Sequence, residues 1–376
     1  MNILYYYRDS LSLMDSWQKI HFLDELRRMG HIVTIFNYLD YSNLFQANEE
    51  IIAKLKNRAW DFFMTAHGCD LLFPETIQEI RKLGIPSLLI CFDNLHAPFM
   101  HKSIAPFFDL VWLTSFETKP LFEKWGCNCI FQPYAANPYT YFPHYGKEIK
   151  TVGFIGTPYG TRIEKINDLV NSNVNCTVYS DKVNVAGIIP KRKKGIQDYW
   201  EMLRLDFDLI RFPVGRKVLE AKYCKKILVK NSALNIASEY LNVYPSVSFE
   251  KMNELYSNFS LTLGITELWD TYVLSKPIHK LHLRTFEIPM CGGLQLVSYV
   301  NELGEYFEED KEIIFYRSKD EFIEKATFYL SKDKYTLRQK MKLAARYRAE
   351  HEHTWRNRFE NIFNIMGVDK IYGKKL

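Results

Sequence analysis

The segment 283–298, LRTFEIPMCGGLQLVS, contains an arginine and a glutamate three positions apart, followed by a glycine pair. Helical spacing places Arg284 and Glu287 on one side of a short helix that Gly292 and Gly293 end. The amino end of a helix suits a phosphate, and a carboxylate can accept hydrogen bonds from two vicinal ribose hydroxyls. The pattern is therefore compatible with a nucleotide site. A surface ion pair followed by helix-stopping glycines explains the same spacing equally well.

Three titratable side chains follow strand-like runs in the first third of the chain: Asp9, His67 and Asp93. The carboxyl ends of parallel strands meet at one edge of a sheet, where ligands bind, so any of the three could accept a proton from a substrate hydroxyl. An aspartate there can instead cap the next helix, and a lone histidine can belong to the core. His351 and His353 lack the four-residue spacing of a helical metal pair, and we expect both to face solvent.

The elements that would position these residues form two similar halves. Through residue 134, short apolar runs such as NILYYY and PSLLICFD alternate with helical patterns, which predicts a parallel sheet covered on both faces. The stretch AANPYTYFPHYGKEIK interrupts the pattern, and TVGFIG restarts it. We predict a first lobe at 1–148 and a second at 149–350 with a basic helical insert at about 183–245. We expect the final helix, in 351–376, to pack back toward the first lobe.

Composition limits the class of protein. The chain has 376 residues, of which 47% are apolar and 25% charged, as expected for two globular domains. No apolar run approaches the ~20 residues that span a bilayer, and no secretory leader is recognised, so we expect a cytoplasmic protein. Seven cysteines without a CxxC pair argue against a disulfide framework and a zinc ribbon.

Positive charge is concentrated in residues 191–230, which hold twelve Lys/Arg against five Asp/Glu, a net charge of +7. Such a segment could contact an anionic or glycan acceptor, a nucleic acid or an anionic membrane surface. A solvated face of two surface helices explains it equally well.

Several motifs together resemble one family. LRTFEIPMCGGLQLVS and the closing AARYRAEHEHTWRNRFENIF are similar to the carboxyl-terminal half of the CgeB-like glycosyltransferases, relatives of the group 1 family. GIPSLLICFDN, DLVWLTSFETKPLFEKWGCNCIFQPYAANPYTYFP and VGFIGTPYGTRIEKI resemble their amino-terminal half. The resemblance covers most of the chain outside about 183–245. It implies a GT-B fold, in which two Rossmann-like doubly wound lobes face each other across a cleft.

The resemblance also implies roles for individual residues. Glu287 is expected to hold the ribose of a nucleotide sugar, Arg284 to lie near the diphosphate, and the Gly292–Gly293 turn to border the same pocket. Gly156, Gly160 and Arg162 match the first loop of the nucleotide lobe, where the arginine could neutralise phosphate charge. The wider retaining family often carries a second glutamate at the position of Lys280, which in this chain could contact phosphate instead.

The implied activity is transfer of a sugar from a nucleotide sugar, with a UDP-sugar as the expected donor, to a glycan, glycolipid, protein or small-molecule acceptor. We expect no cofactor and no metal, because no DxD motif stands at a strand end and Asp206 and Asp208 fall in a helical, basic segment. If the reaction inverts the anomeric centre, Asp93 is the favoured base, followed by His67 and then Asp9.

Three alternatives remain open. A sugar-nucleotide epimerase would use the same architecture without an acceptor groove. A phage-type enzyme that glycosylates DNA bases would use the basic segment to bind nucleic acid. A two-lobed sugar-binding or nucleotide-binding protein would have no catalytic activity.

Overall fold

The computed structural model describes residues 1–10, 12–68, 70–92, 94–95, 97–181, 195–228 and 233–368. The chain divides into two compact units, Met1–Tyr134 with Trp355–Leu376, and Ala135–Thr354. We call these the first and the second lobe.

Each lobe is built on one parallel sheet with helices packed against it. The strands are β1 Asn2–Tyr7, β2 Ile32–Asn37, β3 Phe62–Thr65, β4 Ser87–Cys91, β5 Leu110–Leu113, β6 Cys129–Phe131, β7 Ile149–Ile155, β8 Cys176–Tyr179, β9 Leu241–Tyr244, β10 Phe259–Leu263, β11 Gln295–Ser298 and β12 Ile314–Tyr316. The helices are α1 Leu13–Gln18, α2 Asp24–Arg28, α3 Leu44–Lys56, α4 Pro74–Lys82, α5 Lys119–Lys124, α6 Thr161–Asn171, α7 Ile196–Ile210, α8 Pro213–Leu228, α9 Phe249–Asn258, α10 Arg284–Met290, α11 Asn301–Gly304, α12 Lys319–Leu330, α13 Tyr335–Glu352 and α14 Trp355–Met366. A π-helical turn, Lys19–Leu23, joins α1 to α2, and short 3₁₀ turns lie at Tyr38–Asp40, Pro98–His101, Ala105–Phe107, Phe116–Thr118, Thr271–Val273 and Lys332–Lys334.

The first sheet has the strand order β2-β1-β3-β4-β5-β6. Its inner strands are mostly apolar and are buried, as in β3 and β4, because helices cover both faces of the sheet, whereas the edge strands β2 and β6 are partly exposed. The chain runs from β1 outward to β2 and then crosses back to β3. The direction of winding therefore reverses between β1 and β3, and the carboxyl ends of these two strands are where an open α/β sheet binds its ligands.

The last helix completes the first lobe. Trp355, at the start of α14, packs its indole edge against Trp17 and Phe22 at ring-centroid distances of 5.2 and 4.9 Å. The Arg358 guanidinium donates to the backbone carbonyls of Pro133 and Tyr134 at 3.2 and 3.3 Å. These contacts hold α14 against the first lobe, at the residues that follow β6.

The second sheet has the order β12-β11-β10-β7-β8-β9. Its winding reverses between β7 and β10, which pair in parallel. The second lobe begins at Ala135, not near residue 148, because the intervening stretch is hydrogen-bonded to elements of the second lobe. The amides of His144 and Gly146, for example, donate to Ser257 Oγ at 2.9 Å and Asn258 Oδ1 at 3.0 Å.

The insert is shorter than the sequence predicted. We expected a helical insert over about 183–245, and α7 and α8 form a helical pair within it, but Leu241–Tyr244 form β9, which pairs with β8 at the edge of the sheet. This edge strand was missed because it exposes alternate residues and is four residues long. Within the described residues, no helix is both long and apolar enough to cross a bilayer. The cytoplasmic location stays a prediction.

Candidate active site

A pocket opens where the winding of the second sheet reverses. Its walls come from the ends of β7 and β10, from β11 and from the start of α10: Phe154, Arg162, Leu263, Gly264, Ile265, Thr266, His282, Arg284, Thr285, Gln295 and Val297. Strand ends supply an apolar floor, and two arginines supply positive charge. In open α/β sheets this reversal is the usual ligand position, so the fold favours this pocket over other depressions of the second lobe.

Gly156 lets the loop after β7 approach the arginine of α10. Its φ of +138° disfavours an L side chain, and a Cβ built there would lie 2.7 Å from the Arg284 guanidinium nitrogen. Gly156 and Arg284, which belong to two separate predicted motifs, are therefore in direct proximity. No other residue type leaves the guanidinium in this position.

Arg162 lies in the same pocket, in the first turn of α6. Its guanidinium donates to the Thr157 carbonyl at 2.9 Å and stacks over the Tyr159 ring at 4.2 Å. Burial lowers the pKa of Arg162, and the nearby charge of Arg284 lowers it further. Neither guanidinium forms a salt bridge with a carboxylate in the described part of the chain. Two like charges facing one pocket create a site for an anion.

Helix α10 begins at Arg284, slightly later than the start near Leu281 that the spacing predicts. Pro289 lacks the amide that would bond to the Thr285 carbonyl, and the Gln295 side chain donates to that carbonyl instead, at 2.8 Å. Gln295 therefore couples β11 to the wall of the pocket.

The glycine pair ends α10 at its carboxyl end. Gly292 has a φ of +72°, and the Gly293 amide donates to the Ile288 carbonyl at 2.9 Å. A Cβ on Gly293 would lie 2.8 Å from the Tyr256 carbonyl oxygen, so the backbones pack too closely for a side chain. Both glycines terminate the helix, and neither belongs to the pocket lining.

Glu287 is buried, with 7% of its surface exposed, and its Oε1 accepts a hydrogen bond from the Tyr141 hydroxyl at 2.5 Å. Burial raises the pKa of Glu287, whereas the Tyr141 hydroxyl and the Arg284 charge oppose that rise. The structure thus places Glu287 one turn beyond Arg284, outside the pocket lining and already bonded through one oxygen. Its predicted contact with a ribose stays a prediction.

The remaining predicted residues of this lobe lie on the neighbouring loops. Gly160, with a φ of +53°, is the N-cap residue of α6, directly before the turn that carries Arg162. Lys280 is buried, and its amide donates to the Thr266 carbonyl at 2.7 Å. Lys280 does not line the pocket, so its contact with phosphate also stays a prediction.

The sequence did not single out Thr266 and His282, which line the pocket. Thr266 follows β10, and its hydroxyl lies 2.9 Å from His279 Nδ1 and 3.0 Å from Ser298 Oγ. The sequence does contain an indication of His282, because the motif HKLHLR places two histidines just before the arginine of α10. Their spacing matches no metal or catalytic pattern, so they were not distinguished from core residues.

The first lobe brings a second group of predicted residues to its own winding reversal. His67 follows β3, stands edge-on to the rings of Tyr6 and Tyr38, and its Nε2 has no hydrogen-bond partner among the described residues. Burial, followed by the charge of Arg8, lowers the pKa of His67 to about 4. The imidazole is therefore neutral near pH 7 and has a free lone pair or N–H to offer.

Asp9 follows β1 and is exposed, and its amide donates to Asn37 Oδ1 at 3.2 Å. A second carboxylate nearby, Asp15 in the first turn of α1, was not singled out by the sequence. It is buried and pairs with Arg8 at 2.7 Å, which supports the turn between β1 and α1. Asp93, the favoured base, lies outside the described residues.

The two histidines near the end of α13 differ in exposure. His351 is exposed, as expected, but His353 is buried and its Nε2 lies 2.9 Å from the Tyr306 carbonyl oxygen. The expectation that His353 faces solvent is therefore wrong, because the helix ends there and the ring turns into the aromatic cluster around Phe286.

Comparison with known proteins adds to this geometry. Residues 223–364 match the model of a family described as glycosyl transferase-like. This matched segment carries Arg284, Glu287 and the glycine pair. The chain is a glycosyltransferase. No curated protein matches the sequence.

Solved structures of similar fold cover nearly the whole of this glycosyltransferase. A glycosyltransferase from Rickettsia africae ESF-5 gives a TM-score of 0.58 at 12% identity, with 97% of each chain covered. An alpha-glucosyltransferase in complex with UDP and a 13-mer DNA containing a HMU base gives 0.58 at 14%, covering 98% of this chain and 99% of that one. Anabaena Alr3699/HepE, in complex with UDP and glucose, gives 0.53 at 10%, covering 96% and 98%. The predicted GT-B fold of two Rossmann-like lobes is confirmed.

Substitution of Gly156 tests the geometry of the pocket. We expect Gly156→Ala to displace the Arg284 guanidinium and strain the backbone, so that UDP affinity falls roughly tenfold and stability by about 1–3 kcal/mol. Gly84→Ala is the matched control, because Gly84 also has a positive φ, of +70°, but its added methyl would contact nothing within 4 Å. Gly84→Ala should lower the stability of the protein but leave its UDP affinity unchanged. Equal UDP affinity in both variants would show that the close approach at Gly156 has no part in binding.

Proposed function

We propose that this glycosyltransferase, a CgeB-like member of the group 1 relatives, transfers a sugar from a UDP-sugar bound in the pocket between β7 and β10. The observation that carries the proposal is the convergence of Arg162 and Arg284 on that pocket, where neither guanidinium forms a salt bridge with a carboxylate of the described residues. Two of the proteins with a similar fold are described as UDP complexes, which supports the choice of nucleotide.

The chemistry of the side chains at and beside the pocket suits them to bind the diphosphate and the ribose. Arg284 and Arg162 hold the diphosphate and stabilise the negative charge that develops on it as the glycosidic bond breaks. Glu287 accepts a ribose hydroxyl through Oε2, because Tyr141 already donates to Oε1. The Tyr141 contact orients the carboxylate and reduces the rotamer freedom that would otherwise be lost on binding.

The two guanidinium groups are proposed to replace a metal ion. They bring two fixed positive charges to the site, and the charge on a leaving diphosphate can be neutralised by cationic side chains alone. Lys280, buried beside the Thr266 segment, is a further candidate for phosphate contact.

The first lobe is proposed to supply the general base that takes the proton from the acceptor hydroxyl. Asp93 is favoured on its resemblance to the aspartate of the family, with His67 second and Asp9 third. Asp9 is exposed, whereas Asp15, in the first turn of α1, is buried and paired with Arg8, so that Asp9 is the more accessible proton acceptor of the two. The acceptor is proposed to carry its hydroxyl on a glycan or a glycan-bearing molecule.

A panel of sugar nucleotides tests the proposal. We expect a UDP-sugar, in preference to GDP-, CDP- and TDP-sugars, to raise the thermal unfolding temperature and to be slowly hydrolysed without an acceptor. We expect a chelator to leave this hydrolysis unchanged. Activity that is lost with a chelator and restored by Mn²⁺ would contradict metal independence, and an absence of stabilisation by every donor would contradict the site itself.

A further inference from the structure

One side of α7 is apolar and open to solvent. Six large side chains, 52–79% exposed, form this side, which we call the α7 face: Ile196, Tyr199, Trp200, Leu203, Phe207 and Ile210. At about 100° per residue they fall within an arc of about 100°. Leu209, on another side of the same helix, is buried. The helix therefore has one apolar side that is packed and a second that is not, and such a contiguous patch marks an interaction surface.

We propose that the α7 face binds the surface of an anionic lipid bilayer, with the helix lying in the plane of the headgroups. The order of side chains across the face supports a lipid surface. Tyr199 and Trp200 lie at its two edges, whereas Leu203 and Phe207 lie near its middle. Rings with one polar atom prefer the boundary between headgroups and acyl chains, and purely apolar groups prefer the acyl side.

Charge favours a negatively charged surface. The segment 191–230, which contains α7, carries a net charge of +7. A basic segment is attracted to anionic lipids by about 1 kcal/mol for each cation near the surface. On α8, for example, Lys226 lies over the ring of the exposed Tyr223 at 5.0 Å.

The net charge of +7 already counts the four carboxylates of α7, and three of the four have partners within the helical pair. The contacts are from the Gly195 amide to Asp198 at 2.7 Å, Lys222 to Asp206 at 2.6 Å, and Arg211 to Asp208 at 3.1 Å. The remaining carboxylate is Glu201. Each of the two ion pairs uses one cation for one carboxylate, so the net positive charge of the segment is unchanged by them.

Two other occupants fit the face less well. A second copy of this chain would bring two segments of charge +7 together, which is unfavourable at moderate ionic strength. A single-stranded nucleic acid stacks its bases on aromatic rings, but Ile196, Leu203 and Ile210 make up half of the face and cannot stack. Both are outcomes that the experiment below distinguishes.

Sedimentation with vesicles tests the proposal on the full chain. We expect the protein to sediment with vesicles of phosphatidylcholine and phosphatidylglycerol and only weakly with phosphatidylcholine alone. The double substitution Trp200→Ser/Phe207→Ser should lower the partition coefficient roughly a hundredfold, because two large apolar side chains no longer enter the bilayer. The matched control Leu343→Ser/Tyr347→Ser changes two side chains of α13 that are 58% and 64% exposed, and should bind as the unchanged protein does.

A second measurement does not depend on the folding of that variant. Brominated lipids should quench the tryptophan fluorescence of the unchanged protein, and Trp200→Phe should sediment with the vesicles but lose most of the quenching. UDP affinity in the absence of lipid should be the same in all variants, so that a failure at the α7 face is distinguishable from a failure of the donor site.

Several results would overturn the proposal. Equal sedimentation of the unchanged protein and the Trp200→Ser/Phe207→Ser variant, or quenching that persists in Trp200→Phe, would exclude the α7 face as the lipid contact. A dimer in solution that this double substitution dissociates, without vesicle binding, would assign the face to a second copy. Binding to single-stranded DNA in place of vesicles would assign it to nucleic acid.

Discussion

Arg284→Ala is expected to weaken UDP binding roughly 10- to 100-fold. A hydrogen bond to a charged group contributes about 1.5–3 kcal/mol, and the Arg284 guanidinium is one of two that face the pocket. Turnover should fall as well, because the same charge stabilises the leaving diphosphate. Isothermal titration calorimetry with UDP measures the first effect, and donor hydrolysis measures the second.

The stability of the unliganded variant separates a binding role from a structural one. Arg284 interacts favourably with Tyr256 and Glu287, which raise its pKa, so removal of Arg284 should also lower the unfolding temperature without UDP. The increase in unfolding temperature that UDP produces, measured relative to each unliganded protein, should shrink as well, and this second effect reports the binding role. Arg317→Ala is the matched control, because Arg317 also lies in the second lobe but pairs with Glu309 at 2.6 Å outside the pocket. Equal UDP affinity in Arg284→Ala and Arg317→Ala would contradict the assigned role.

Asp93→Asn is expected to lower kcat by a factor of about 10²–10⁴ while the UDP dissociation constant stays unchanged. Loss of a general base removes proton transfer from the transition state but no contact with the nucleotide. Single-turnover kinetics with a saturating donor measures kcat, and calorimetry measures affinity. Turnover close to that of the unchanged protein would remove Asp93 from the mechanism.

His67→Gln distinguishes the second candidate. A base must be unprotonated, and the pKa of His67 is held at about 4 by burial. If His67 is the base, kcat/KM falls as the pH drops toward 4, and this acidic limb disappears in the glutamine variant. If Asp93 is the base, the glutamine variant retains the pH profile of the unchanged protein, and the effect of Asp93→Asn is much larger.

The sequence predicted the elements that have strong local patterns. NILYYY forms β1, and the apolar strands and amphipathic helices of both lobes follow in the predicted order. Arg162 and Arg284, which loop motifs and the resemblance indicate, line one pocket because they stand at the ends of adjacent elements, and Gly156 lies against the Arg284 guanidinium. Local patterns and parallel topology suffice to bring such residues to one sheet edge.

The contacts that the sequence did not predict join residues far apart in the chain. The bond between Tyr141 and Glu287 spans 146 positions, and it determines how much of the carboxylate is available to a ligand. The sequence predicts the boundary between the lobes near residue 148, because the Pro- and Tyr-rich stretch 135–150 has no periodicity. In the structure this stretch belongs to the second lobe. β9 is short and half exposed, so no apolar run distinguishes it from a loop.

The exposure of the α7 face also could not be predicted from the sequence. Its apolar spacing predicts an amphipathic helix, but the sequence alone does not tell which of two apolar sides packs against the protein. The structure buries the side of Leu209 and leaves the α7 face exposed. The segment 191–230, whose composition indicates only a basic surface, therefore carries an apolar surface as well.

A crystal structure of the protein with UDP tests the central claim most directly. We predict that the diphosphate lies at the carboxyl ends of β7 and β10, within hydrogen-bonding distance of the Arg284 and Arg162 guanidinium groups, with a ribose hydroxyl on Glu287. A nucleotide bound elsewhere, with this pocket empty and both arginines unchanged, would contradict the account.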